Sequence, residues 1–195
     1  WVASDKLTLP KLPRQHVFSK YYNSADPRDL TMDGQPLFFT HDKNLLPGSW
    51  AVDKDRNLVF ARMPDDGDPN ARDMRVIRLK HGVTIKSLKK PAYVTVKNLV
   101  IRRFIIGVKV LGAHSRIENN IIEWCEFAGW HSWGNYAHDS VFKNNVFRWT
   151  GHKGAVGALR LKFIDNKVLF SNWKLSHAGW DASGLKVTSS LDGLF

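Results

Sequence analysis

The chain of 195 residues and 22.3 kDa is 43% hydrophobic and 24% charged, a globular composition that excludes a disordered tail or a collagen-like chain. No apolar run approaches the ~18 residues of a membrane helix, so no membrane partner is expected. The single cysteine, Cys125, allows neither an intrachain disulfide nor a cysteine-built zinc site. With 29 Lys+Arg against 18 Asp+Glu the net charge is +11, which directs attention to a polyanionic partner.

The charge is unevenly spread. Residues 1–75 carry 11 basic and 11 acidic side chains, whereas 76–195 carry 18 basic and 7 acidic. Six of the eight tryptophans and five of the eight histidines also lie beyond residue 110. Composition therefore divides the chain into a region 1–75 and a region 76–195.

In chain order, Thr31 to Phe39 places Asp33-Gly34 between β-prone residues, the signature of a tight hairpin. A second hairpin is expected from Ser49–Val52 and Leu58–Arg62 around the polar turn 53–57. Residues 64–70, with two prolines, a glycine and three carboxylates, form a loop. No stretch has helical periodicity long enough for an amphipathic helix.

The second region repeats. Val96-Lys97-Asn98-Leu99-Val100-Ile101, Ile117-Glu118-Asn119-Asn120-Ile121-Ile122, Phe142-Lys143-Asn144-Asn145-Val146-Phe147 and Ile164-Asp165-Asn166-Lys167-Val168-Leu169 align on Asn98, Asn119, Asn144 and Asn166, at spacings of 21, 25 and 22. Periods in the twenties suit leucine-rich repeats or a parallel β-helix, and the leucine-rich frame is absent. Between the repeats lie short β-like segments that open on glycine at Gly107, Gly129, Gly184 and, less regularly, Gly157. Several short strands per unit predict an all-β, parallel β-helix in which the four asparagines form a corner ladder. Trp124 and Trp149, each four residues after the second asparagine of its repeat, are read as members of another ladder.

These repeats resemble those of right-handed parallel β-helix proteins of the pectin-lyase-like superfamily, which is rich in polysaccharide lyases and glycoside hydrolases. The segments 47–70 and Gly179-Trp180-Asp181-Ala182-Ser183-Gly184-Leu185-Lys186 also resemble parts of bacterial carbohydrate-active members. The resemblance covers most of residues 30–190 and implies an exported protein, secreted, periplasmic or at the cell surface. It also implies further coils, so the chain is expected to be a section of a longer solenoid. Its exposed coil ends would then be covered by the rest of the helix or by a protein partner.

In that superfamily, substrate commonly lies across the outer face of one sheet. Counting outward from each glycine puts Lys109, His131 and Lys186 in one column, with Trp133 on the same face and Arg160 contributed by the less regular strand. Lys109, Trp133, Arg160 and Trp180 are the expected substrate-binding residues for an acidic polysaccharide. A lyase must neutralise a uronate carboxylate and remove the neighbouring proton, which points to His131 or Lys186 as base and Arg160 as the neutralising group. A hydrolase needs two carboxyl groups, of which Asp181 is the first candidate. No cofactor is expected. A metal site is not expected either, because the histidines lack a compact ligand pattern. Nucleic acid is disfavoured by the absence of a recognition motif. The competing reading is a noncatalytic structural, adhesive or assembly β-helix.

Overall fold

The computed structural model describes residues 29–40, 44–53, 58–77, 79–132, 134–156, 159–172, 183–186 and 192–194. The chain divides into two compact units, 1–78 and 79–195. In the first, β1 (Leu30–Met32) and β2 (Gln35–Pro36) form the expected hairpin, and Asp33 and Gly34 take φ of 48° and 84° at its turn. β3 (Phe38–Phe39) runs parallel to β4 (Ser49–Asp53), which pairs antiparallel with β5 (Leu58–Arg62), while β6 (Met74–Val76) closes on β1. Trp50 is fully buried among Leu30, Leu37, Val59 and Met63, and its Nε1 donates to the Leu37 carbonyl at 3.1 Å. Arg72 ties two loops together by pairing with Asp33 and Asp65.

The second unit is a parallel β-solenoid of about four turns. Its strands are β7 (His81–Ser87), β8 (Thr95–Lys97), β9 (Val100–Arg102), β10 (Ile106–Gly112), β11 (Arg116–Glu118), β12 (Ile121–Cys125), β13 (Ala128–Ser132), β14 (Val141–Lys143), β15 (Val146–Thr150), β16 (Lys153–Val156), β17 (Lys162–Ile164), β18 (Lys167–Ser171) and β19 (Ser183–Lys186). Every third strand stacks on the last. The first sheet therefore holds β7, β10, β13, β16 and β19, the second β8, β11, β14 and β17, and the third β9, β12, β15 and β18. The only helical pieces among the described residues are the 3₁₀ turns Pro69–Ala71 and Gly134–Ala137.

Each turn bends three times through a residue of positive φ. The first corner holds Tyr93, His114, Asp139 and Arg160, the second Asn98, Asn119, Asn144 and Asp165, and the third Arg103, Trp124, Trp149 and Phe170, all with φ between 46° and 64°. Such backbone suits asparagine and costs other side chains ~1–2 kcal/mol each. At the third corner the rings stack, Trp124 on Trp149 at 4.9 Å and Trp149 on Phe170 at 4.2 Å. Ring contacts of ~0.5–1.5 kcal/mol offset much of that backbone cost, and Trp124 and Trp149 are ladder members as expected.

The asparagine ladder needs a correction. The left-handed column ends on Asp165, so Asn166 belongs one residue further along, with Asn120 and Asn145. These three form a separate inward column. Asn120 Nδ2 donates to Asn145 Oδ1 at 3.0 Å, Asn145 Nδ2 to Asn166 Oδ1 at 2.8 Å, and the same oxygens accept backbone N–H groups of the preceding turn. The amides also donate to the carbonyls of Val96, Ile117 and Phe142. A buried amide is tolerated only when so fully bonded. True repeat spacings are 21, 25 and 21 residues.

Between the sheets, Val108, Val110, Ile117, Ile122, Trp130, Phe142, Phe147 and Phe163 fill the interior. Trp130 lies 3.9 Å from Phe142 between ring centroids. Cys125 is part of this core, and burial pushes its thiol up to about 12, which makes it a packing group. The glycine column also shifts. A Cβ on Gly82 would meet the Gly107 carbonyl at 2.6 Å, and one on Gly107 the Gly129 carbonyl at 2.5 Å. Gly154 and Gly184 continue the column, because Ala128 pairs with Lys153 and Lys153 with Ser183. The third glycine-led strand is therefore β16, led by Gly154, while Leu159 and Arg160 of the segment expected from Gly157 lie in a turn and Gly157 itself is outside the described residues.

Asn145→Ala is expected to lower stability by ~3 kcal/mol, since it strands buried donors and acceptors on Asn120, Ile117 and Asn166. Asn144→Gly, at the exposed left-handed corner, should stay within ~1 kcal/mol of the parent. Urea unfolding of both variants checks the split between the two columns. Gly107→Ala should cost ~2 kcal/mol by overpacking against the next turn, read as a shifted thermal midpoint.

Candidate functional site

The first sheet concentrates positive charge. Its five strands contain Lys86, Lys109, Lys153, Lys186, His81 and His131 and no Asp or Glu. Elsewhere, acids sit beside bases: Glu123 of the third sheet accepts from Arg148 at 2.7 Å, and Glu118 of the second pairs with Arg116 at 2.5 Å. The segregation follows from the stack itself, because parallel in-register pairing repeats one position of each turn directly above the last.

Within the sheet, backbone pairing sets Thr84 beside Lys109 and Lys109 beside His131. On the far side, Val156 pairs with Lys186. Continued in step from Ala128–Lys153, the register puts Val156 next after His131. Lys109, His131 and Lys186 therefore share a column. Val108 and Val110 on either side of Lys109 are fully buried while Lys109 is partly exposed, so the column faces outward.

Burial and, after it, like charge shape the ionisation of this face. Burial, followed by the charges of Lys109 and Lys80, pushes His81 down to about 4. Burial and then Lys86 hold Lys109 below its ordinary value. Both shifts disfavour added positive charge and mark a surface that an anion would relieve.

One edge of the column is aromatic. Phe127 lies 5.8 Å from the His131 ring and 5.2 Å from the His152 ring, and Lys153 Nζ sits 5.0 Å over its face. Glu126, His152 and Lys153 are buried here. Sequence reasoning passed over Phe127, His152 and Lys153. The signal was Gly154, which the choice of Gly157 as a strand start concealed.

Arg160 does not belong to this face. It occupies the first corner, where Nε and Nη2 grip the two Asp139 oxygens at 2.6 and 2.7 Å. Its guanidinium holds the Asp139 carboxyl far below the usual range, with His138 contributing through its Nδ1 at 2.6 Å. Arg160 as the neutralising group beside His131 is therefore corrected, because its charge is committed to a carboxylate at a turn. Trp133, Trp180 and Asp181 lie outside the described residues.

The corner holds something the sequence did not suggest. His114, His138 and Asp139 present ligand atoms within 4.8 Å of one another. Linear spacing hid this group, because 24 residues separate His114 from His138. The signal was again the repeat: His114 and Asp139 stand 25 apart, like Asn120 and Asn145.

No known protein family, curated protein or solved structure matches the chain.

The histidine shift has a testable sign. Between His81's ordinary 6.5 and about 4 the unfolded chain binds a proton that the folded chain does not, so stability falls as pH drops through that window. His81→Phe should flatten the decline relative to the parent, measured by urea unfolding at pH 7, 5.5 and 4.

Proposed function

We propose that the outer face of the first sheet binds an acidic polysaccharide and cleaves it by elimination. The observation that carries this reading is the acid-free set of strands, in which Lys109 and His131 stand in adjacent turns and Lys186 in the same column. Turns are separated by ~4.8 Å, and along the column Lys109, His131, Val156 and Lys186 follow in turn order, so a lysine on either side of His131 can meet carboxylates of an extended acidic polymer. Phe127 supplies an apolar surface beside it.

In this reading Lys109 neutralises a uronate carboxylate, which acidifies the adjacent C–H. His131, neutral at the start, takes that proton. The C–H electrons form a C=C bond as the glycosidic C–O bond on the next carbon breaks, and the leaving oxygen receives a proton from Lys186 or water. Elimination is preferred to hydrolysis because, among the described residues, the first-sheet strands offer no pair of carboxyl groups. The membership of the pectin-lyase-like superfamily and the export that the sequence resemblance implies agree with a polymeric extracellular substrate, and both belong to the same proposal.

The test is incubation of the full chain with polyuronates and with neutral glycans of matched length. New absorbance from an unsaturated uronate, lost by ~100-fold or more in His131→Ala and with raised KM in Lys109→Ala, supports elimination. Salt-sensitive polyuronate binding with no new product assigns the face to adhesion or assembly. Reducing ends without the unsaturated chromophore make the protein a hydrolase, and absence of binding overturns the assignment of the face.

A further inference from the structure

The first corner of the solenoid carries a second site, unrelated to the cationic face in its chemistry. His114 ends the passage from β10 to β11, and His138 and Asp139 occupy the same level of the next turn, just before β14. The Asp139 Oδ2 atom lies 2.6 Å from His138 Nδ1 and 3.9 Å from His114 Nε2. A first-row transition ion takes nitrogen and oxygen ligands at ~2.0–2.2 Å and so needs its donors ~3–3.5 Å apart, a spacing that two imidazoles and a carboxylate with ligand atoms within 4.8 Å of one another reach by small side-chain rotations.

The backbone holds these groups in place before any ion arrives. His114 and Asp139 are both fixed in the left-handed conformation, at φ 57°. The His114 N–H donates to the His138 carbonyl at 3.1 Å, joining the turns at the site. Ser115 and Ser140 are fully buried behind it, and Ser115 N–H donates to Ser140 Oγ at 3.0 Å. Tyr93 stacks on the His114 ring at 5.2 Å, and His138 meets that ring edge-on at 5.8 Å. The His114 and His138 side chains are each 36% exposed, which leaves the donors open to solvent on one side. The 3₁₀ turn Gly134–Ala137 supplies the segment that delivers His138, and Ala137 at its end is fully buried as an anchor.

We propose that His114, His138 and Asp139 bind a divalent transition ion of the zinc class, with Arg160 as a built-in competitor for the carboxylate. Arg160 grips both Asp139 oxygens and approaches His138 Nδ1 at 3.5 Å. An ion entering the site takes the place of the guanidinium contact and of any proton on His138 Nδ1. Arg160 then swings toward solvent, where its side chain is already 48% exposed. Three protein ligands leave a coordination position for water or a ligand oxygen.

The experiment titrates the 195-residue chain with Zn²⁺ by competition against a chromogenic chelator, and with Co²⁺ for its visible spectrum, at neutral pH. One equivalent is expected, with a tetrahedral or five-coordinate N/O cobalt spectrum. His114→Gln and His138→Gln should each weaken binding ~10-fold or more, and Arg160→Gln should tighten it by about tenfold because a competitor is lost. Far-ultraviolet circular dichroism of each variant controls for folding, and the tightening in Arg160→Gln keeps the proposal testable if a histidine variant unfolds. Absence of Zn²⁺ binding overturns the proposal. So does unchanged affinity in a folded His114→Gln/His138→Gln double variant, since the ion would then sit on others of the eight histidines. Weaker binding in Arg160→Gln would overturn the competition.

Discussion

Turn-on-turn backbone pairing is the constraint on which the rest of the second unit depends. Each turn must hydrogen-bond to the next along three sheets, so each must bend three times at fixed levels, and any residue at a given level lies directly over its counterpart. The three left-handed corners follow from this requirement, as does the need for glycine where one turn's carbonyl approaches the next turn's α-carbon. The interior amide ladder joins the same turns a second time. Asn120 and Asn145 each bond to both neighbouring turns through their side chains. Loss of register by one residue would carry these amides out of the core and bring corner side chains into it.

The same vertical alignment gathers chemistry. Lysines that are distant in sequence meet on one sheet, and burial first, then their like charge, lowers the proton affinities of His81 and Lys109. Both effects disfavour added positive charge on this face. The first corner gathers charge differently: His114, His138, Asp139 and Arg160 alternate in sign and function, so that a carboxylate stands between a guanidinium and two imidazoles. One scaffold thus carries an open cationic face and a compact mixed cluster, at positions set by the same repeat.

Much of this was legible before the structure. Asp33-Gly34 announced its hairpin, and the apolar–charged–Asn pattern announced stacked turns because the interior needs apolar residues at matching levels. The outward column of Lys109, His131 and Lys186 followed from counting two residues from each glycine. Errors arose where the repeat offers two equivalent candidates. Adjacent asparagines in Asn119-Asn120 and Asn144-Asn145 look alike, yet the first turns the backbone and the second enters the core, so the last repeat was aligned one residue late on Asn166. Gly154 and Gly157 posed the same ambiguity, and the pairing of Lys153 with Ala128 resolves it.

By itself the sequence determined the all-β class, the turn-forming repeats and the concentration of positive charge beyond residue 75, because these depend on residue type and spacing along one chain. Only the tertiary structure decided which bases and acids become neighbours. Arg160 left the expected binding face and closed on Asp139, while His114 and His138 met across two turns, since the lengths of the intervening loops set each level. Contacts between turns depend on the sum of every insertion between them. A one-residue difference there moves a side chain to another face, and no local pattern records it.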